Sequence, residues 1–72
     1  MKAPAMNLPL KMAIHASGKT QKRIAALARM TEPRLSLIVR GREAATDDEQ
    51  EQLAKALKKS IDELFPARKS AA

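Results

Sequence analysis

The sequence contains no Cys, no Trp and no Tyr, and its single aromatic residue is Phe65. Without Cys there is no disulfide framework and no thiolate to bind a metal or act as a nucleophile. With a single aromatic and little Val, the apolar interior must come mostly from Ala, Leu, Ile and Met, which favours packed helices over a sheet. No apolar run approaches the roughly 20 residues of a membrane span. The N-terminus also lacks the apolar segment of a secretory signal. These absences fit a cytoplasmic protein without membrane contact. There is one His, His15, and a lone His makes neither a metal site nor a general-base constellation. No Gly-rich phosphate loop, Ser-His-Asp set or Cys/His cluster is present, so the expectation is a non-enzyme without cofactor or metal.

What is present is charge, unevenly placed. The 72 residues carry a formal net charge of +6 and a pI near 10.2. Residues 1–45 hold nine Lys/Arg against two acids, a balance of +7, whereas residues 46–65 hold three Lys against six Asp/Glu, a balance of −3. A basic first half suggests a polyanion partner. A merely solubilising surface is the other reading of the same charge.

The length allows one small domain. Residues 1–6 (MKAPAM) read as a loose arm, 7–65 as the folded unit, and 66–72 as a flexible tail. Asn7 caps a first helix from Leu8, with Pro9 tolerated in its first turn. Leu10, Ala13, Ile14 and Ser17 share one face, and Gly18 is a natural stop. Thr20 caps a second helix from Gln21 to about Ala28, with Ile24, Ala25 and Ala28 inward. Thr31 caps a third over Glu32 to Val39, with Pro33 in its first turn, Leu35 and Ile38 inward, and Gly41 as its end. Thr46 with Glu49 forms a capping box opening a fourth helix that runs to about Lys59. Asp47 and Asp48 suit its positive end. Ser60 with Glu63 opens a short fifth containing Ile61, Leu64 and Phe65. Met6, Met12 and Met30 are expected to pack. Five helices with short connections predict an all-α domain.

Thr20-Gln21, Ile24-Ala25, Met30-Thr31, Leu35-Ser36, Ile38 and Gly41 together resemble the Xre-type, lambda-repressor-like helix-turn-helix. The segment Leu53 to Phe65 resembles the fourth and fifth helices of that family. The resemblance implies a compact five-helix DNA-binding domain with the helix-turn-helix at helices 2 and 3, covering about residues 8–65. In such a motif the second helix of the pair enters the major groove of double-stranded DNA while the first braces across it. The implied DNA-binding residues are Lys19, Thr20, Gln21, Lys22, Thr31, Glu32, Pro33, Arg34, Ser36, Leu37, Arg40 and Arg42. Thr20, Gln21 and the first amides of helix 2 would hold a backbone phosphate. Lys19, Lys22 and Arg23 would meet phosphates, and Arg34, Arg40 and Arg42 phosphates or guanine. Leu37 or Pro33 would touch a thymine methyl, and Glu32 would accept from cytosine N4. Against each stands a plainer role, such as a solvated basic surface for the cations or service to the helix dipole for Glu32.

Three departures from the family pattern stand out. Arg29 sits where the family usually has Gly at the turn, a costly place if that residue is left-handed. Val39 stands where the family often has a polar or acidic residue. Glu32, Pro33 and Leu37 replace the frequent Gln, Asn, Ser or Arg base readers. The expected function is a sequence-specific transcriptional regulator, a repressor working as a homodimer on DNA. The alternative is a protein-interaction module or antitoxin-like partner that keeps the fold with weak base readout. Ile61, Leu64 and Phe65 are candidates for the dimer surface, or else close the core over helices 1 and 4.

Overall fold

The computed structural model of the chain describes residues 6–66. The arm and tail assigned from the sequence therefore lie outside the described residues, apart from Met6 and Pro66. Five helices follow in order: α1 Leu8–Ala16, α2 Gln21–Leu27, α3 Glu32–Val39, α4 Asp47–Leu57 and α5 Ile61–Leu64. No strand occurs among the described residues.

Each helix begins where a short polar side chain can satisfy a free amide. Asn7, Thr20, Thr31, Thr46 and Ser60 accept hydrogen bonds from the backbone amides of Leu10, Arg23, Arg34, Glu49 and Glu63 respectively. At α4 and α5 the third helical residue, Glu49 or Glu63, reaches back to the cap amide and completes a capping box. Such caps contribute about 1 kcal/mol each. This matters in helices this short, which would not persist alone in water.

The first four helices end by a common device. Gly18, Arg29, Gly41 and Lys58 all have positive φ, between 57° and 77°. At Arg29 the chain makes the paired bonds of a Schellman turn, Arg29 N–H to Ala26 O and Met30 N–H to Ala25 O. Lys58 and Lys59 repeat the pattern onto Lys55 O and Ala54 O. These reversals stop α2 at Leu27 and α4 at Leu57, slightly before the ends expected from the sequence.

One fully buried aliphatic side chain comes from every helix: Leu10, Ile24, Leu35, Leu53 and Leu64. Burying each stabilises by about 1.5–3 kcal/mol. Ala25 and Ala28, 1% and 2% exposed, leave room for the helices packed on α2, which are α3 and α4. Leu64 and Phe65 are buried and Ile61 packs against the core, so these three close the core where α5 meets α1 and α4. They are not a free dimer surface. Of the methionines expected to pack, Met30 lies against the core, but Met6 and Met12 are exposed at 43% and 67%. The N–H of Asn7 donates to Val39 O at 2.8 Å, tying the start of α1 to the end of α3.

Candidate nucleic-acid interface

Two threonines set the geometry of the α2–α3 pair. Thr20 Oγ1 accepts from Arg23 N–H at 3.1 Å, and Thr31 Oγ1 accepts from Arg34 N–H at 3.3 Å. Each cap fixes where its helix begins. The left-handed turn at Arg29 fixes the angle between them. The side chain of Gln21 then donates from Nε2 to Glu32 Oε2 at 3.2 Å, so the starts of α2 and α3 lie side by side. Lys19, Thr20 and Lys22 are exposed beside that contact, together with Thr31, Glu32 and Pro33.

On α3, Leu35, Ile38 and Val39 are buried. That orientation leaves Pro33, Leu37 and Arg40 exposed and Ser36 half-buried on the outward face. The spacing of four and then three residues puts the exposed trio in one stripe. Arg42, just past Gly41, is also exposed. Val39 explains its own departure from the family pattern. At 5% exposure it belongs to the core, where a carboxylate would need a partner to be tolerated.

Arg34 has partners within the chain that the sequence did not show. Its guanidinium turns away from the outward stripe toward the start of α4. Nε donates to Glu49 Oε2 at 2.9 Å and Nη2 to Glu49 Oε1 at 2.8 Å. Nη1 donates to Glu43 Oε1 at 3.2 Å, and Nη2 also to Ala44 O at 3.1 Å. The physical reason is local charge. Two carboxylates and a carbonyl converge on one planar donor set, and paired N–H···O bonds to a carboxylate are among the strongest available to Arg. Hydrogen bonding to Arg34 is the largest influence holding the Glu49 carboxyl at about 2, with the Thr46 amide adding to it against partial burial. The reciprocal effect raises Arg34 above its ordinary value, led by Glu49.

Sequence reasoning missed Glu43 and Glu49 as partners of Arg34. Glu49 was legible as a capping residue, but its second contact spans fifteen positions and has no local signal. Asp47, Asp48 and Glu51 stay in the first two turns of α4. Among the described residues no group of three or more His, Cys, Asp or Glu side chains is placed to hold a metal ion. None of the described helices is long and apolar enough to cross a membrane.

Two comparisons bear on this arrangement. Residues 10–64 match the family described as Helix-turn-helix. The fold is also similar to the crystal structure of the clp gene regulator ClgR from C. glutamicum, with a TM-score of 0.75 and 27% sequence identity. That likeness covers 92% of this chain and 87% of the other. Comparison with curated protein sequences gives no match.

Proposed function

This chain belongs to the Xre-type, lambda-repressor-like helix-turn-helix family, and from that premise we propose that it is a sequence-specific transcriptional repressor that inserts α3 into the major groove of double-stranded DNA. The family and the gene regulator of similar fold support the broader statement, a non-enzymatic DNA-binding regulator. The observation that carries the finer reading is the outward stripe of α3 beside the exposed start of α2. One helix fits the groove, which is about 12 Å wide.

The roles divide by chemistry. Lys19, Lys22, Arg40 and Arg42 neutralise phosphates. Thr20, Gln21 and the first amides of α2 hold a phosphate and set the register. Pro33 and Leu37 meet thymine methyls, Ser36 and Thr31 supply hydroxyls, and Glu32 accepts from cytosine N4. Arg34 acts from behind by holding α3 against α4 rather than reading a base. A single short helix covers few base pairs, so the protein works as a homodimer on half-sites about 34 Å apart. Repression follows from occupying the operator. A cytoplasmic location fits this role.

A second reading has one observation in its favour. The outward stripe of α3 offers few hydrogen-bond donors to base edges, as an adaptor that binds protein would. A mobility shift on genomic fragments, with a pull-down from the same lysate, separates the two. Retarded fragments that survive unrelated competitor DNA support the repressor. A captured protein with no specific fragment supports the adaptor. Sedimentation of the complex on a palindromic site is expected to give two chains per site, and a strictly one-to-one complex at saturation ends the dimer proposal.

A further inference from the structure

Where α1 meets the start of α2 the surface forms an open concavity of about 220 Å³. It is lined by Lys11, Ile14 and His15 of α1, by Lys19 of the turn and by Gln21 of α2. Lys11 and His15 stand four residues apart, about one helical turn, so they lie side by side on one face of α1. Both are exposed, as is Lys19, whereas Ile14 is buried and anchors that face to the core. Lys19 and Gln21 already belong to the proposed DNA surface. Lys11 and His15 continue that surface from α2 onto α1.

The charges around the concavity select the sign of what it takes. No Asp or Glu lines it. Of the helices packed on α1, α5 carries Asp62 and Glu63, and α3 carries Glu32 and Arg34. None of these four is on the lining. Glu63 is tied into the capping box of α5, and Arg34 is paired with Glu43 and Glu49. Glu32 is engaged by Gln21, whose Nε2 donates to it at 3.2 Å. The lining thus presents two ammonium groups and one imidazole to an anion, with no carboxylate among them.

We propose that this concavity seats a backbone phosphate of DNA, with Lys11 and the imidazolium of His15 as further contacts, so that binding DNA takes up a proton. The proposal rests on the DNA-binding reading above and extends it. A phosphate oxygen accepts from either ammonium and from an imidazole N–H, and an ionised donor makes the stronger bond. Histidine is the side chain whose charge changes between about pH 5 and 8. The protonated form holds phosphate more tightly, so affinity rises as pH falls through that range and declines as pH rises. The Glu49 carboxyl, at about 2, stays ionised throughout, and its hold on α3 does not change with it.

The test uses the full chain and a fluorescein-labelled duplex of mixed sequence, because phosphate contacts do not require the operator. Anisotropy titrations at fixed low salt compare the wild type, His15→Gln and His15→Lys between about pH 5 and 8. At the acid end the wild type should bind about three- to fivefold more tightly than His15→Gln, as suits one exposed ion pair. At the alkaline end the two should match. His15→Lys should keep the tighter binding at both ends. The N-terminal amine titrates in the same window and is common to all three chains, so it cancels. Lys11→Gln should reduce the slope of log affinity on log salt by about 0.9. Inorganic phosphate, added to the free chain at constant ionic strength, should not saturate the His15 ring resonances at millimolar concentration. A wild-type pH profile parallel to that of His15→Gln overturns the proposal and leaves the DNA-binding reading standing, as does an unchanged salt slope in Lys11→Gln. Saturation by inorganic phosphate alone makes the concavity a site for a free anion and overturns it too. A duplex that stays unbound at every pH overturns both readings.

Discussion

Arg34 and Glu49 form a two-pronged ion pair, Nε to Oε2 at 2.9 Å and Nη2 to Oε1 at 2.8 Å, that joins the first turn of α3 to the first turn of α4. One carboxylate thereby serves two ends at once. Its Oε1 also accepts from the Thr46 amide at 2.9 Å, closing the capping box. The angle of α3 and the start of α4 are set by the same side chain.

That dual contact makes stability depend on acid in a defined window. The Glu49 carboxyl lies at about 2 in the folded chain, against its usual 4.5. The unfolded chain therefore takes up this proton first as pH falls, and the stabilisation, complete above pH 4.5, is lost between there and about 2. Melting temperatures of the wild type and Glu49→Gln should differ most above pH 5 and converge toward pH 2. A constant gap across that range would show that the ion pair is not the source.

Replacing Arg34 by Ala should lower the melting temperature by about 4–8 °C, leaving Glu49 partly buried without its partner. Arg34→Lys should recover only part of the loss, because an ammonium cannot make the paired contact. Binding to DNA should weaken evenly across operator variants. A preference relaxed at one base pair alone would instead return Arg34 to the groove.

Arg29 and Lys58 hold positive φ, 61° and 57°, without being glycine. Left-handed backbone costs an ordinary residue on the order of 1 kcal/mol. Arg29→Gly and Lys58→Gly should each raise the urea midpoint by a corresponding amount at unchanged slope. The two turns are separate, so their effects should add. A fall in midpoint for Arg29→Gly would show that its side chain contributes more than its backbone costs.

With about five phosphate contacts, the log of the DNA affinity should fall with the log of salt concentration at a slope near −4 to −5. Titration from low to physiological salt on one fragment measures it. A slope near zero would remove the electrostatic account of binding by Lys19, Lys22, Arg40 and Arg42.

The parts of this fold that were legible beforehand are those specified by a few adjacent residues. Thr20, Thr31, Thr46 and Ser60 each carry their capping chemistry within three positions, and the aliphatic spacing within each helix names its inward face. Arg29 was readable as a strained turn because its neighbours define the helix-turn-helix. The direction of Arg34 was not legible, because it is decided by Glu43 and Glu49, nine and fifteen residues away, which compete with the groove for one guanidinium. Gln50 was missed for a related reason. Nothing in its neighbourhood marks a glutamine in an acidic first turn as buried, and only the meeting of α4 with the loop after α3 makes it so. Leu64 and Phe65 stood between two readings until the packing of α5 on α1 and α4 put both in the core.

A concavity beside Gln50 has Met6 on one wall and Pro66 on another. The segments that open α1 and close α5 therefore meet on one side of the fold, where these two helices pack. A linker joining them, with each residue spanning up to about 3.3–3.6 Å, would allow new ends to be cut at an exposed turn such as Lys58–Lys59. The order in which the five helices are synthesised is then separable from the order in which they pack. A circularly permuted chain would show whether the α2–α3 pair needs to emerge before the elements that hold it.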